Sequence, residues 1–278
     1  MISDSPSIGF IGAGRVGTAF GKYLQNNGFN ISGYYSRTYS SSREAAEFIG
    51  CTAFADIGAV IDKSDIIFIT VTDSSIAETA AAAAFGRRSL ESKTFCHTSG
   101  ALSSGVLKPL KELGALVCSA HMLIAVSDRF KSSDDFENAF FTAEGDCEPV
   151  IAVLEKCGNH FRIIKPEHKA KYHAAAVFAS NFVVGLADIA CSMLKDCGFT
   201  ESDALKALSP LMLNNINNII KLGPRKALTG PASRGDFDTI YRHLAVFGTD
   251  DRDKAAYEIY KTMTAILVNM AERKEEKQ

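Results

Sequence analysis

Gly12, Gly14 and Gly17 stand at G-x-G-x-x-G spacing directly after the apolar run Ile8-Gly9-Phe10-Ile11, and Thr18 to Leu24 continues with apolar residues three and four apart. A strand, a glycine turn and a helix in that order make a phosphate cradle. The first glycine permits the tight turn, the second lets backbone approach a pyrophosphate, and the third lets helix and strand pack closely. Unpaired N–H groups of the helix's first turn, with the helix dipole behind them, favour the negative charge. Gly12, Ala13, Gly14, Arg15, Val16 and Gly17 are therefore the expected contacts of a dinucleotide. A carboxylate for the ribose 2′-hydroxyl is expected about 20 residues further on. The stretch from Tyr34 to Arg43 has none; it offers Ser36, Arg37 and Thr38. A guanidinium flanked by hydroxyls suits a 2′-phosphate, and so NADP in preference to NAD. A polar loop capping the next helix is the plainer alternative.

Other candidate chemistry lies at the ends of expected strands, where open parallel sheets bind their ligands. Thr70 to Ser74, His97 to Gly100 and Ser119 to His121 form three such clusters. Thr72 and Ser99 are expected at the cofactor, His97 as donor or proton shuttle, and His121 at the substrate. A strand-end histidine that only bonds local backbone is the competing account of either ring. Further on, Lys169, His173, Ser180 and Asp188 recur at helical offsets amid apolar residues, with Asn181 beside Ser180. That spacing brings His173, Ser180 and Asn181 near one helix face. His173 is the first choice of proton donor, with Lys169 behind it and Asn181 and Ser180 orienting the substrate. A buried hydrogen-bond network or a dimer contact explains the stripe equally well, and a solvated surface charge explains the lysine. Arg234, between Gly230 and Gly235, is a natural clamp for a carboxylate or phosphate.

The elements that must position these residues alternate regularly. Strands are expected at 30–35, 51–55, 65–71, 93–97, 114–120, 139–142 and 161–164, with helices between most of them. Asp65 to Val71 is a near-continuous β-branched run, as in a strand buried on both faces of a parallel sheet. The pattern predicts an α/β fold: a doubly wound, mostly parallel sheet in residues 1–165. Composition changes at Lys165-Pro166. Residues 166–278 then read as all helix, with one long helix from about Glu167 to Asp196 and a second from Thr200, capped by Thr200 and Asp203, to about Leu222. The tail Glu272 to Gln278 is too charged to pack.

With 278 residues, 46% of them hydrophobic, and a net charge of −2, the chain can build a sizeable core and offers no basic surface for nucleic acid. No apolar run reads as long enough to span a bilayer, and Met1 to Pro6 lacks the features of a signal peptide. Seven cysteines, an odd number without a C-x-x-C pair, read as reduced thiols of a cytoplasmic protein with no metal cluster.

The glycine motif, Phe95 to Ser104, Tyr172 to Asn181, and Leu228 to Pro231 with Arg234-Gly235-Asp236 occur in this order. Together they resemble an uncharacterised family of Rossmann-like oxidoreductases whose C-terminal helical domain has no assigned function. The chain is more distantly similar to pyrroline-5-carboxylate reductase, ketopantoate reductase and 6-phosphogluconate dehydrogenase. The resemblance implies an NADP-dependent reductase of a small keto or imino compound, with a helical domain like that of 6-phosphogluconate dehydrogenase completing a homodimer. Family members usually carry His-Pro-Leu after the sixth strand. This chain has His121-Met122-Leu123, which puts the loop geometry there and the role of His121 in question. Two other readings keep the same glycine loop: a sensor or scaffold that binds NADP without turnover, and a flavin or deazaflavin reductase.

Overall fold

The computed structural model describes residues 6–275, so the signal-peptide reading of residues 1–5 and the last residues of the charged tail, 276–278, lie outside the described residues. Two compact units divide the chain, Met1–Ser180 and Asn181–Gln278. The division falls later than the change in composition at Lys165-Pro166, so the first long helix after the sheet belongs to the first unit.

In the first unit, β1 (Ser7–Ile11), α1 (Arg15–Asn26), β2 (Asn30–Tyr35), α2 (Tyr39–Ile49), β3 (Thr52–Phe54), α3 (Ile57–Asp62), β4 (Ile66–Ile69), α4 (Asp73–Ala84), β5 (Thr94–His97), α5 (Lys108–Lys111), β6 (Leu116–Met122), β7 (Phe140–Gly145), α6 (Glu148–Lys156), β8 (His160–Ile163) and α7 (Lys169–Ala179) follow in order. They build one eight-stranded sheet, ordered β3-β2-β1-β4-β5-β6-β7-β8. All neighbours are parallel except β6 and β7. Strand order reverses beside β1, which pairs with β2 on one side and β4 on the other, so the carboxyl ends of β1 and β4 open the crevice that such sheets use for ligands.

Both faces of the sheet are covered, as the β-branched strands require. On one side Phe10, Phe20, Tyr34, Phe68, Phe136 and Phe141 form a continuous aromatic layer, with Phe10 stacked on Tyr34 at 4.9 Å. On the other, Ile11, Ile67, Ile69 and Phe95 pack against Val60, Ile76, Leu107 and Leu110. Met122 continues β6 in register with Phe141 and is buried. His121 therefore sits in a strand with a fixed backbone, and the missing proline leaves no loose loop there.

The second unit is helical: α8 (Asn181–Asp196), α9 (Glu201–Leu222), α10 (Pro224–Ala227), α11 (Pro231–Arg234), α12 (Phe237–Leu244) and α13 (Asp251–Glu275). Thr200 caps α9 as its sequence suggests, accepting from the Asp203 N–H and donating to its carboxylate. The expected single helix from Glu167 to Asp196 is instead broken at Ser180, whose backbone leaves the helical region (φ −128°, ψ −80°). Its hydroxyl turns back onto the Ala176 carbonyl at 2.7 Å, a local bond that competes with the helical ladder. A second expectation also changes. The stretch Pro166–Asp196 has a mean hydropathy of 1.8 over its most apolar 18-residue window, so one run is long and apolar enough to cross a membrane by length and composition. Two features count against that use: the break at Ser180, and a buried lysine near its start.

Candidate active site

The glycine turn divides its labour as the spacing predicts. Gly12 has φ +111°, a backbone state that side chains rarely adopt, and a Cβ there would meet the Thr70 carbonyl at 2.7 Å. At Gly17 a Cβ would meet Thr70 Oγ1 at 2.4 Å and the Gly12 carbonyl at 2.5 Å. Thr70, at the end of β4, closes this arrangement by donating to the Gly12 carbonyl at 2.8 Å. Gly14 is different: nothing lies within 4 Å of its Cβ position, so its backbone faces open space. That space is a cavity of about 380 Å³ lined by Gly12, Ala13 and Gly14, by Ser36, Arg37 and Thr38, and by Thr70, Val71 and Thr72. Ile57 and Ala82 add apolar surface, with Ser75, Glu78 and Thr79 beside them. Arg15, Val16 and Gly17 form the first turn of α1, where unpaired N–H groups belong. An open glycine backbone, a helix N-terminus, a guanidinium and an apolar slot fit a phosphorylated dinucleotide.

Next along the sheet, at the ends of β5 and β6, a second group of residues converges on Gly100. A Cβ at this position would meet His173 Nδ1 at 2.4 Å and His121 Nε2 at 2.9 Å. Glycine here is what lets two imidazoles close on the same backbone. Their rings are 5.7 Å apart and nearly perpendicular. Among the described residues His173 Nδ1 is buried without a hydrogen-bond partner. Beneath them Lys169 is 2% exposed, and its Nζ donates to the Ser99 carbonyl and to Ser119 Oγ, both at 2.7 Å. Among the described residues no carboxylate forms an ion pair with it, and the nearby Glu144 and Asp73 are engaged elsewhere. Asp73 accepts from Ser99 Oγ at 2.8 Å, and the buried Glu144 accepts from both the N–H and the hydroxyl of Ser104. Burial accordingly lowers the Lys169 pKa from its ordinary value. Burial, with Lys169 and His173 nearby, lowers His121 to about 4, so this ring is neutral at neutral pH.

His97 takes the plainer of its two accounts. It is fully buried, its Nε2 lies 3.1 Å from the Ser103 carbonyl, and its Nδ1 accepts from the Ser99 N–H. Both nitrogens are spent on backbone, so His97 pins the loop that presents Gly100 and is not a proton donor. Ser99 is likewise internal: its hydroxyl accepts from the N–H groups of Ala101 and Leu102, and it does not line the cavity that holds Thr72.

The break at Ser180 separates the helical stripe that the offsets suggested. His173 stays with Lys169 in the first unit, while Asn181 begins the second unit and Arg234 ends α11 within it. Sequence spacing overlooked Tyr172, whose hydroxyl lies 2.7 Å from His121 Nδ1, and the role of Ser119 as a lysine acceptor. It also left Lys169 as an equally good surface charge.

Comparison with known proteins bears on this geometry. Residues 3–122 match the Rossmann-like domain and residues 139–266 match a domain of unknown function, DUF2520. No curated protein matches the sequence. Among solved structures, a Bacteroides fragilis protein assigned as an NADP oxidoreductase is 25% identical, with 95% of this chain and 98% of that one covered and a TM-score of 0.74. A reductive aminase from Aspergillus terreus, in complex with NADPH4, cyclohexanone and allyl amine, is similar in fold at 17% identity over 98% and 94% of the two chains (TM-score 0.64). So is a pyrroline-5-carboxylate reductase from Coxiella burnetii, at 13% identity over 97% and 98% (TM-score 0.60). The chain is therefore a Rossmann-like domain followed by a C-terminal DUF2520 domain, in the fold that these oxidoreductases share.

Proposed function

We propose that this protein is an NADP-dependent oxidoreductase that transfers hydride between NADPH and a small keto or imino substrate. The observation that carries the reading is the meeting of His121, His173 and Lys169 at Gly100, beside the Gly12–Gly17 cradle at the carboxyl edge of one sheet. Arg37 with Ser36 and Thr38 would hold the 2′-phosphate, and the first turn of α1 the pyrophosphate. When bound, the reduced nicotinamide supplies the hydride. His173 gives the proton that the product heteroatom requires. Lys169, held without a contacting carboxylate, offsets the negative charge that develops on that heteroatom. The solved relatives that carry NADPH support this choice of cofactor. Such convergence of donors has no use in a protein that only senses NADP, which favours the enzyme.

Following NADPH oxidation across ketones, keto acids and preformed imines tests the reading. Turnover that His173→Ala removes supports it. NADH binding tighter than NADPH, or full turnover in His173→Ala, refutes the corresponding assignment.

We further propose that the helical unit pairs with a second copy. Among the described residues, Ala204, Ile240 and Ala256 are the buried hydrophobics within it, whereas Leu213, Ile216 and Ile220, on one face of α9, are 60%, 44% and 78% exposed. Apolar surface on that scale marks an interaction face. Light scattering should return twice the 29.9 kDa chain mass, and Leu213→Glu with Ile220→Glu should return the single mass. Seven free thiols are in keeping with the cytoplasm.

A further inference from the structure

Consecutive residues of α7 grip one imidazole from two sides. Tyr172 Oη lies 2.7 Å from His121 Nδ1, with the two rings 5.5 Å apart and almost perpendicular. The next residue, His173, faces the same imidazole across Gly100. His121 itself is fixed at its base by β6, where it pairs with Thr142 of β7.

This contact selects a tautomer. A neutral imidazole carries one N–H, and the other nitrogen can only accept. Burial raises the pKa of Tyr172 against the opposing effect of the neighbouring Thr142 hydroxyl, so its phenol keeps its proton and donates it to an acceptor. The 2.7 Å separation is a hydrogen bond, and a phenol that donates it leaves Nδ1 as the acceptor. With Nδ1 accepting from Tyr172, the proton of His121 must sit on Nε2. Nε2 is the atom that approaches Gly100, on the same side as His173 Nδ1.

We propose that Tyr172 is a positioning residue that holds His121 as an Nε2–H donor, aimed at the heteroatom of the substrate's C=O or C=N group. This rests on the reductase reading of the site. In the reaction the proton still comes from His173. His121 polarises the double bond by donating a hydrogen bond and remains neutral throughout. Tyr172 acts on the substrate through its contact with His121.

The direct test is long-range proton–nitrogen correlation NMR on protein labelled at its six histidines, with His121 assigned from a His121→Asn sample. The native ring should be protonated on Nε2, and Tyr172→Phe should yield a mixture of tautomers. On any substrate found by NADPH oxidation, Tyr172→Phe should lower kcat by about tenfold, the worth of one hydrogen bond, with KM changed less than about twofold. A native His121 protonated on Nδ1, or a tautomer unchanged in Tyr172→Phe, overturns the proposal whether or not a substrate is known. An altered tautomer with unchanged kcat overturns the catalytic part. The expected tautomers without NADPH oxidation on any substrate overturn the reductase reading, while the assignment of Tyr172 stands. The native tautomer is read without Tyr172→Phe, so it decides the matter even where that substitution unfolds the chain.

Discussion

Gly14 and Gly17 belong to one motif, yet the structure requires opposite outcomes when each gains a methyl group. Gly14 has an ordinary backbone (φ −79°, ψ −167°), and nothing lies within 4 Å of its Cβ position. Gly14→Ala reduces the freedom of the unfolded chain, worth about 0.4–1 kcal/mol, and loses a similar amount because alanine is a poorer helix cap. The stability of the cofactor-free protein should therefore stay within about 1 kcal/mol of the native value. With a pyrophosphate against this backbone, the same methyl fills space the ligand needs. Overpacking of that kind costs about 1–3 kcal/mol, so NADPH should bind about 5- to 150-fold more weakly. At Gly17 the methyl would strike Thr70 Oγ1 at 2.4 Å and the Gly12 carbonyl at 2.5 Å, and backbone cannot swing aside as a side-chain tip can. Gly17→Ala should then lose about 1–3 kcal/mol before any ligand is added, a fall in Tm of several degrees. Thermal unfolding by circular dichroism reads the first quantity. NADPH fluorescence reads the second, free of indole interference because the chain has no tryptophan. A Gly14→Ala protein that binds NADPH normally, or one that loses several degrees of Tm, refutes the assignment of this cradle.

Three further outcomes follow from the same geometry. Arg37→Ala should weaken NADPH by about 1.5–3 kcal/mol, the range for a charged hydrogen bond, and leave NADH within about twofold, as paired titrations will show. His97 has its pKa lowered to about 4 from 6.5, chiefly by burial, and so does His121; the unfolded chain therefore binds more protons, and stability present above pH 6.5 is lost as pH falls towards 4. Each ring contributes up to about 3 kcal/mol of that loss, so His97→Gln should flatten the urea-unfolding profile over this window, and an unchanged slope refutes the burial argument. Lys169 is likewise shifted down by burial, so the native protein should gain stability relative to Lys169→Met as pH rises towards the ordinary lysine value, while turnover of Lys169→Met stays low throughout.

What the sequence made legible, and what it hid, divides by the range of the interactions. The cradle is local: Gly12, Gly14 and Gly17 act within one turn, and their spacing states their purpose before any coordinates. Strand runs such as Ile66–Ile69 are equally plain, because burial on both faces demands an apolar residue at every position. The cluster at Gly100 is not local. His121 and Tyr172 meet across 51 positions, and Lys169 and Ser99 across 70, through pairings that only the sheet order creates. Helical periodicity put His173 and Lys169 on one helix, as α7 does, but it carried the stripe past Ser180. Nothing in an alanine-rich run announces that one hydroxyl will bond back to Ala176 and end the helix. His97 misled for a related reason. A histidine at a strand end has the same sequence signature whether its nitrogens face a ligand or the backbone, and only the bonds to Ser103 and Ser99 tell them apart. Gly100 shows the converse. It has an ordinary backbone and no turn requires it, yet it is the position where any side chain would part the two imidazoles. A residue whose function is to be absent from a crowded point leaves its mark in the neighbours it admits, so the reach of this site is read from His121, His173 and the phenol that holds one of them.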